Sequence, residues 1–144
     1  MIRKSVSVLA VALAAFAGMG VLTACDPSKP APMSTANAVV QLSATPTAFT
    51  PSVLDNGGEY TSVLVTVVNN SKDKVVSVNP LYITITDTGG NKHEAELGVD
   101  QNQIATVDLQ PGEKVTGVVA AKGTFTPKAV VFDNFSNQVR ADVS

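Results

Sequence analysis

The 144-residue chain has no tryptophan, one cysteine and one histidine. A single cysteine excludes a disulfide framework within the chain. One histidine and one cysteine exclude the clustered ligands of zinc sites and the paired histidines of metallohydrolases. Two tyrosines leave little for the aromatic stacking of a sugar-cleaving cleft. Basic runs are also missing. Ten Lys and Arg stand against 12 Asp and Glu, so nucleic acid is not an expected partner. Neither Gly-x-Ser-x-Gly nor an EF-hand loop occurs, which removes the usual signatures of a serine hydrolase and a calcium sensor.

What is present begins with an address. Met1-Ile2-Arg3-Lys4 is a short positive start, and Val6 to Leu22 follows without a charge. That run is short for a membrane span and ample for the apolar core of an export signal. It ends in Leu22-Thr23-Ala24-Cys25, which resembles the lipobox of bacterial lipoproteins. The resemblance implies cleavage after Ala24 and a diacylglycerol on the Cys25 sulfur. A plain export signal would instead leave an oxidisable thiol outside the cell. Two acyl chains satisfy the requirement for stable anchoring, at ~0.8 kcal/mol per buried CH₂. Membrane lipid, held through Cys25, is therefore the first expected partner. The expected location is the extracytoplasmic face of the cell membrane. Asp26 resembles the inner-membrane retention signal of two-membrane bacteria.

Loss of residues 1–24 would leave 120 residues carrying 8 basic and 12 acidic side chains, enough for one domain. Residues 25–37 hold the cysteine and three prolines but no aromatic, a composition that predicts a tether. Residues 38–144 differ sharply. They hold 19 Val, 12 Thr and 3 Ile among 107 residues, which predicts strands. No window shows a clean helical period, and turn residues recur at short intervals. Seven or eight strands are expected. They are Val39–Leu42, an edge strand broken near Pro46, then Tyr60–Val68, Val75–Val78 with Leu81–Thr86 as one strand bent at Pro80 or two short ones, and Lys92–Leu97. Ile104–Leu109, Lys114–Ala121, Lys128–Phe132 and Gln138–Val143 complete the set. Val63, Val65 and Val67 are expected to face inward, and Leu81, Ile83 and Ile85 to share a face. The fold class is all-β, an antiparallel β-sandwich, with a barrel as the alternative.

Three segments carry a second resemblance. Val65 to Val76 reads VTVVNNSKDKVV, Ile83 to Lys92 reads ITITDTGGNK, and Leu109 to Val119 reads LQPGEKVTGVV. In this order they are similar to the motifs of the DUF4352 family, immunoglobulin-like domains of bacterial surface lipoproteins. The resemblance implies an immunoglobulin-like sandwich and supplies no mechanism. The chain departs from the pattern at His93, Glu94 and Ala121, where the family often has aromatics.

Few residues invite chemistry. His93 has no serine near it in sequence and is expected at a solvent-facing strand position. Asp87 with Asn91, and Asp100 with Asn102, are partial calcium shells at most. Turn-capping is the expected role of Asp87, because an Asx side chain accepts backbone N–H groups two residues on. Asn69 is expected to organise its turn in the same way. Glu94 and Glu96 share a strand face with Lys92, which reads as a solvated edge. Asn69-Asn70-Ser71 and Asn134-Phe135-Ser136 hold formal sequons, without consequence behind a bacterial export signal. Phe125 and Phe132 are expected in the core. Phe135 is the candidate partner-binding residue.

No catalytic residue, metal site or cofactor is expected. The expected function is a membrane-anchored extracytoplasmic lipoprotein with a non-catalytic binding or structural role. An envelope protein or cell-wall material is its expected partner. A small-ligand or ion-binding lipoprotein is the alternative, and an envelope hydrolase a more distant one.

Overall fold

The computed structural model describes residues 38–144. The expected leader, Cys25 and the tether lie outside the described residues. Nine strands follow in order: β1 (Val40–Thr47), β2 (Tyr60–Asn69), β3 (Val76–Val78), β4 (Ile83–Asp87), β5 (Lys92–Glu94), β6 (Val107–Leu109), β7 (Lys114–Lys122), β8 (Pro127–Asp133) and β9 (Gln138–Asp142). They form antiparallel sheets of order β1-β2-β7, β3-β6 and β5-β4-β8-β9. The fold is all-β and broadly immunoglobulin-like.

The strand count exceeds the expected seven or eight because the segment around Pro80 divides. Asn79 caps a 3₁₀ turn over Pro80–Tyr82, its side chain accepting from Leu81 N at 2.9 Å. β3 and β4 therefore enter different sheets. Leu81 sits on that turn and is exposed, not on the inward face with Ile83 and Ile85. β5 is also shorter than expected, since the chain leaves it to line the far edge of β7. Glu96 N donates to Ala120 O, Val118 N to Asn102 O, and Ile104 N to Val118 O.

The period-two pattern of β2 holds. Val63, Val65 and Val67 are fully buried and join Ile83, Ile85, Val130 and Phe132 in one core. β1 is an edge strand of its sheet and runs unbroken through Pro46, opposite Val63. An edge position spares proline the ladder donor it lacks. β1 then meets the end of the last strand through a parallel bridge, Ala44 to Val143.

That parallel bridge fixes which loops share a pole. β1 and β9 both start at the end where the described chain enters. The turns on either side of that entry are tied together: Asn70 N donates to Val39 O, Gly112 N to Asn69 O, and Asn134 Nδ2 to Ser77 O. The loop of residues 134–137 and the 3₁₀ turn therefore flank the entry pole. The loop after β1, near Val53 and Leu54, lies at the opposite one.

Candidate functional site

The three C-terminal phenylalanines have separate fates. Phe132 is wholly buried in the core. Phe125 packs against the core from its margin. Phe135 is 92% exposed, in the loop between β8 and β9. Its backbone has φ 68°, a left-handed conformation that costs a residue with a side chain about 1–2 kcal/mol. The surrounding side chains hold it there. Asp133 Oδ1 accepts from Phe135 N at 3.0 Å, and Asn134 Oδ1 accepts from Ser136 N and Asn137 N. Gln138 Nε2 reaches Asp133 Oδ2. The ring stands edge-on to Tyr82 at 5.9 Å, and Tyr82 stands edge-on to Phe132 at 6.4 Å. An aromatic ladder thus runs from the core to a bare ring outside.

A second cluster closes the β4–β5 hairpin. Asp87 Oδ1 caps the turn by accepting from Asn91 N at 2.9 Å, four residues on rather than the expected two. Asp87 Oδ2 lies 2.9 Å from His93 Nε2. The bond to His93, then those from Asn91, hold the Asp87 carboxyl well below the usual carboxylate range. An ionised carboxylate only accepts, so Nε2 of His93 carries the proton between them. The imidazole also stacks on Phe125, with centroids 3.7 Å apart and planes 7° from parallel.

His93 is consequently not the solvent-facing residue expected of it. It stands opposite Ile85 in the ladder, and residues directly opposite share a face. The signal was in the sequence. Lys92, Glu94 and Glu96 are exposed, and a two-residue period sends position 93 the other way. The imidazole bonds through Nε2 to a carboxylate and stacks on an aromatic face, and among the described residues no nucleophilic side chain is bonded to it.

The other polar candidates also serve turns. Asn69 is fully buried. Its Nδ2 donates to Lys74 O at 2.7 Å and to Leu109 O at 2.9 Å, while its Oδ1 accepts from Ser71 N. It closes its own turn, as expected, and also joins that turn to β6. Asp100 accepts from Thr50 N and Asn102 N, pinning the loop after β1 to the loop before β6. Among the described residues, no group of three or more His, Cys, Asp or Glu side chains is placed to hold a metal ion. Cys25 lies outside the described residues.

Comparison with known proteins gives a family and a fold. The fold resembles MPT63, a secreted protein of Mycobacterium tuberculosis, with a TM-score of 0.54 and 14% identity. That match covers 72% of this chain and 80% of the other. It also resembles the yjhA protein of Bacillus subtilis, with a TM-score of 0.52 and 16% identity over 74% of this chain and 92% of the other. At such identities the likeness is one of fold. No curated protein matches. The family model described as a domain of unknown function, DUF4352, matches residues 32–121, a span that holds the Asn69 turn, the Asp87 hairpin and the β6–β7 turn. The chain belongs to the DUF4352 family.

Proposed function

We propose that the protein is a lipid-anchored, extracytoplasmic domain of a bacterial envelope, with a binding or structural role and no catalysis. The observation that carries this reading is Leu22-Thr23-Ala24-Cys25 at the end of an uncharged apolar run. Residues 1–24 are then the leader, 25–37 the lipidated cysteine and tether, and 38–144 the domain held outside the membrane. The fold likeness to a protein described as secreted supports an extracytoplasmic site of action. The hairpin cluster is consistent with a role without catalysis, because among the described residues the Asp87–His93 pair is bonded to no Ser, Thr or Cys side chain. Envelope protein or cell-wall material remains the proposed partner beyond the membrane.

The test is intact-mass analysis of the native protein extracted from membranes. The expected species starts at Cys25 and carries a diacylglycerol. Cys25→Ser is expected to lose that mass and to leave the membrane fraction. A native mature protein with a free Cys25 thiol refutes the anchor.

A further inference from the structure

We propose that the entry pole of the domain docks on the lipid surface itself, with the Phe135 ring inserted at the headgroup boundary. This rests on the lipid anchor proposed above and names the surface the anchored domain meets.

Apart from Leu64 within β2 and Leu97 after β5, the exposed large apolar side chains lie at the two poles. Val39, Val75, Leu81 and Phe135 flank the entry, while Val53 and Leu54 top the opposite loop. Tether length decides between them. Thirteen residues separate Cys25 from Val39. A tether of that length, as its composition leads one to expect, would span about 20 Å on average and about 45 Å fully drawn out. β2 has 10 residues, so the poles are roughly 33 Å apart. Bringing Val53 and Leu54 to the membrane would draw the tether to about three-quarters of its full length. Bringing Phe135 there asks almost nothing of it, because the 134–137 loop lies beside the entry.

The Phe135 loop is built to hold its ring out. Asp133 and Asn134 fix the backbone with side-chain acceptors, and Asn134 Nδ2 ties the loop to Ser77 O of β3. A ring held in place loses little freedom on insertion, which favours weak contacts. The tether raises the local concentration of the pole at the membrane to the millimolar range, so a shallow contact suffices. Charges around the pole are mixed, Lys72, Lys74 and Lys114 against Asp73, Glu113 and Asp133. Insertion of apolar side chains, not attraction to anionic lipid, is therefore the driving term, and zwitterionic lipid is enough.

The chain has no tryptophan, so one introduced by Phe135→Trp is a unique reporter. The lipidated full-length variant is reconstituted on phosphatidylcholine vesicles with brominated acyl chains, beside an otherwise identical Leu54→Trp protein. Flotation and intact mass report the anchor, and bromine quenching reports contact with lipid. The expected result is flotation of both proteins, with quenching about twofold or more for Phe135→Trp and little for Leu54→Trp. Lipidated, floating protein with equal quenching at the two positions overturns the docking and leaves the anchor standing. The bare ring then faces a protein. Protein with an unmodified Cys25 that does not float overturns both.

Discussion

Gly117 is expected to tolerate replacement worse than other glycines of the domain, and the reason is space. It lies within β7 opposite Val65 of β2, and its backbone is not in the left-handed region. A Cβ added there would lie 2.3 Å from Ile104 Cα and 2.7 Å from Ile104 N. Those are backbone atoms and cannot swing aside as a side chain would. To admit Gly117→Ala, the strip around Ile104 must move off β7. That strip is held by Ile104 N donating to Val118 O at 2.9 Å and Val118 N donating to Asn102 O at 2.7 Å. Each bond is worth about 0.5–1.5 kcal/mol. Ile104 is 1% exposed, and the burial of such a side chain is worth about 1.5–3 kcal/mol. Partial relaxation recovers some of this, so Gly117→Ala is expected to destabilise by ~3–5 kcal/mol.

For a domain of this size that lowers the thermal midpoint by roughly 10–20 °C. Hydrogen exchange should show the loss beginning at the amides of Ile104 and Val118. Thr116→Ala, one residue away and exposed, is the control and should cost no more than the ~1 kcal/mol of its cross-strand bond to Thr66 Oγ1. A Gly117→Ala protein within ~1 kcal/mol of wild type, with both amides still protected, would show that the strip yields freely and refute the steric account.

Three further outcomes follow from the turns. Asn69→Ala removes the side-chain donor to Leu109 O and the acceptor for Ser71 N, while Lys74 O keeps Ser71 Oγ, and urea melts should show a loss of ~1–3 kcal/mol, against ~0.5 kcal/mol or less for the exposed Asn70→Ala. The Asp87 carboxyl is held below its unfolded value by His93 and Asn91, so its contribution is complete above about pH 4 and is lost as pH falls through the folded value. Asp87→Asn should therefore be less stable at neutral pH and show a shallower acid limb in stability-against-pH curves; an unchanged limb counts against the pairing. Gly90 holds φ 86° with open space around it, so Gly90→Val should cost ~1–3 kcal/mol by chemical denaturation and Gly90→Asn clearly less.

Much of this architecture was legible because its causes are local. The alternation of Val63, Val65 and Val67 sets a buried face by itself. Asp87 two residues before a glycine pair announces a capped turn. Contacts between distant segments left weaker traces. The turn at Asn79-Pro80 fits one bent strand or two short ones in the sequence, since nothing local shows that β3 and β4 enter different sheets. Gly117 stood within a recognisable motif, but its need for glycine comes from Ile104, which reaches it only after the chain has left β5. His93 was misplaced for a different reason. The wet face of Lys92, Glu94 and Glu96 was legible, and the same period already excluded His93 from it.

The polar side chains that look most like chemistry share one property: their bonds run back into the backbone that carries them. Asp87 closes the β4–β5 turn, Asn69 joins its turn to β6, and Asp100 pins two loops. A side chain whose donors and acceptors are satisfied in the resting domain has little left to offer a ligand. Phe135 is the opposite case. Its backbone is held in a left-handed conformation by Asp133 and Asn134, while its ring stands edge-on to Tyr82 and is otherwise 92% exposed. The strain is offset by these side-chain acceptors and not by burial of the ring. The loop therefore presents its ring ready-made, and it is this ring at the entry pole, rather than the hydrogen-bonded hairpin, that the proposed docking uses.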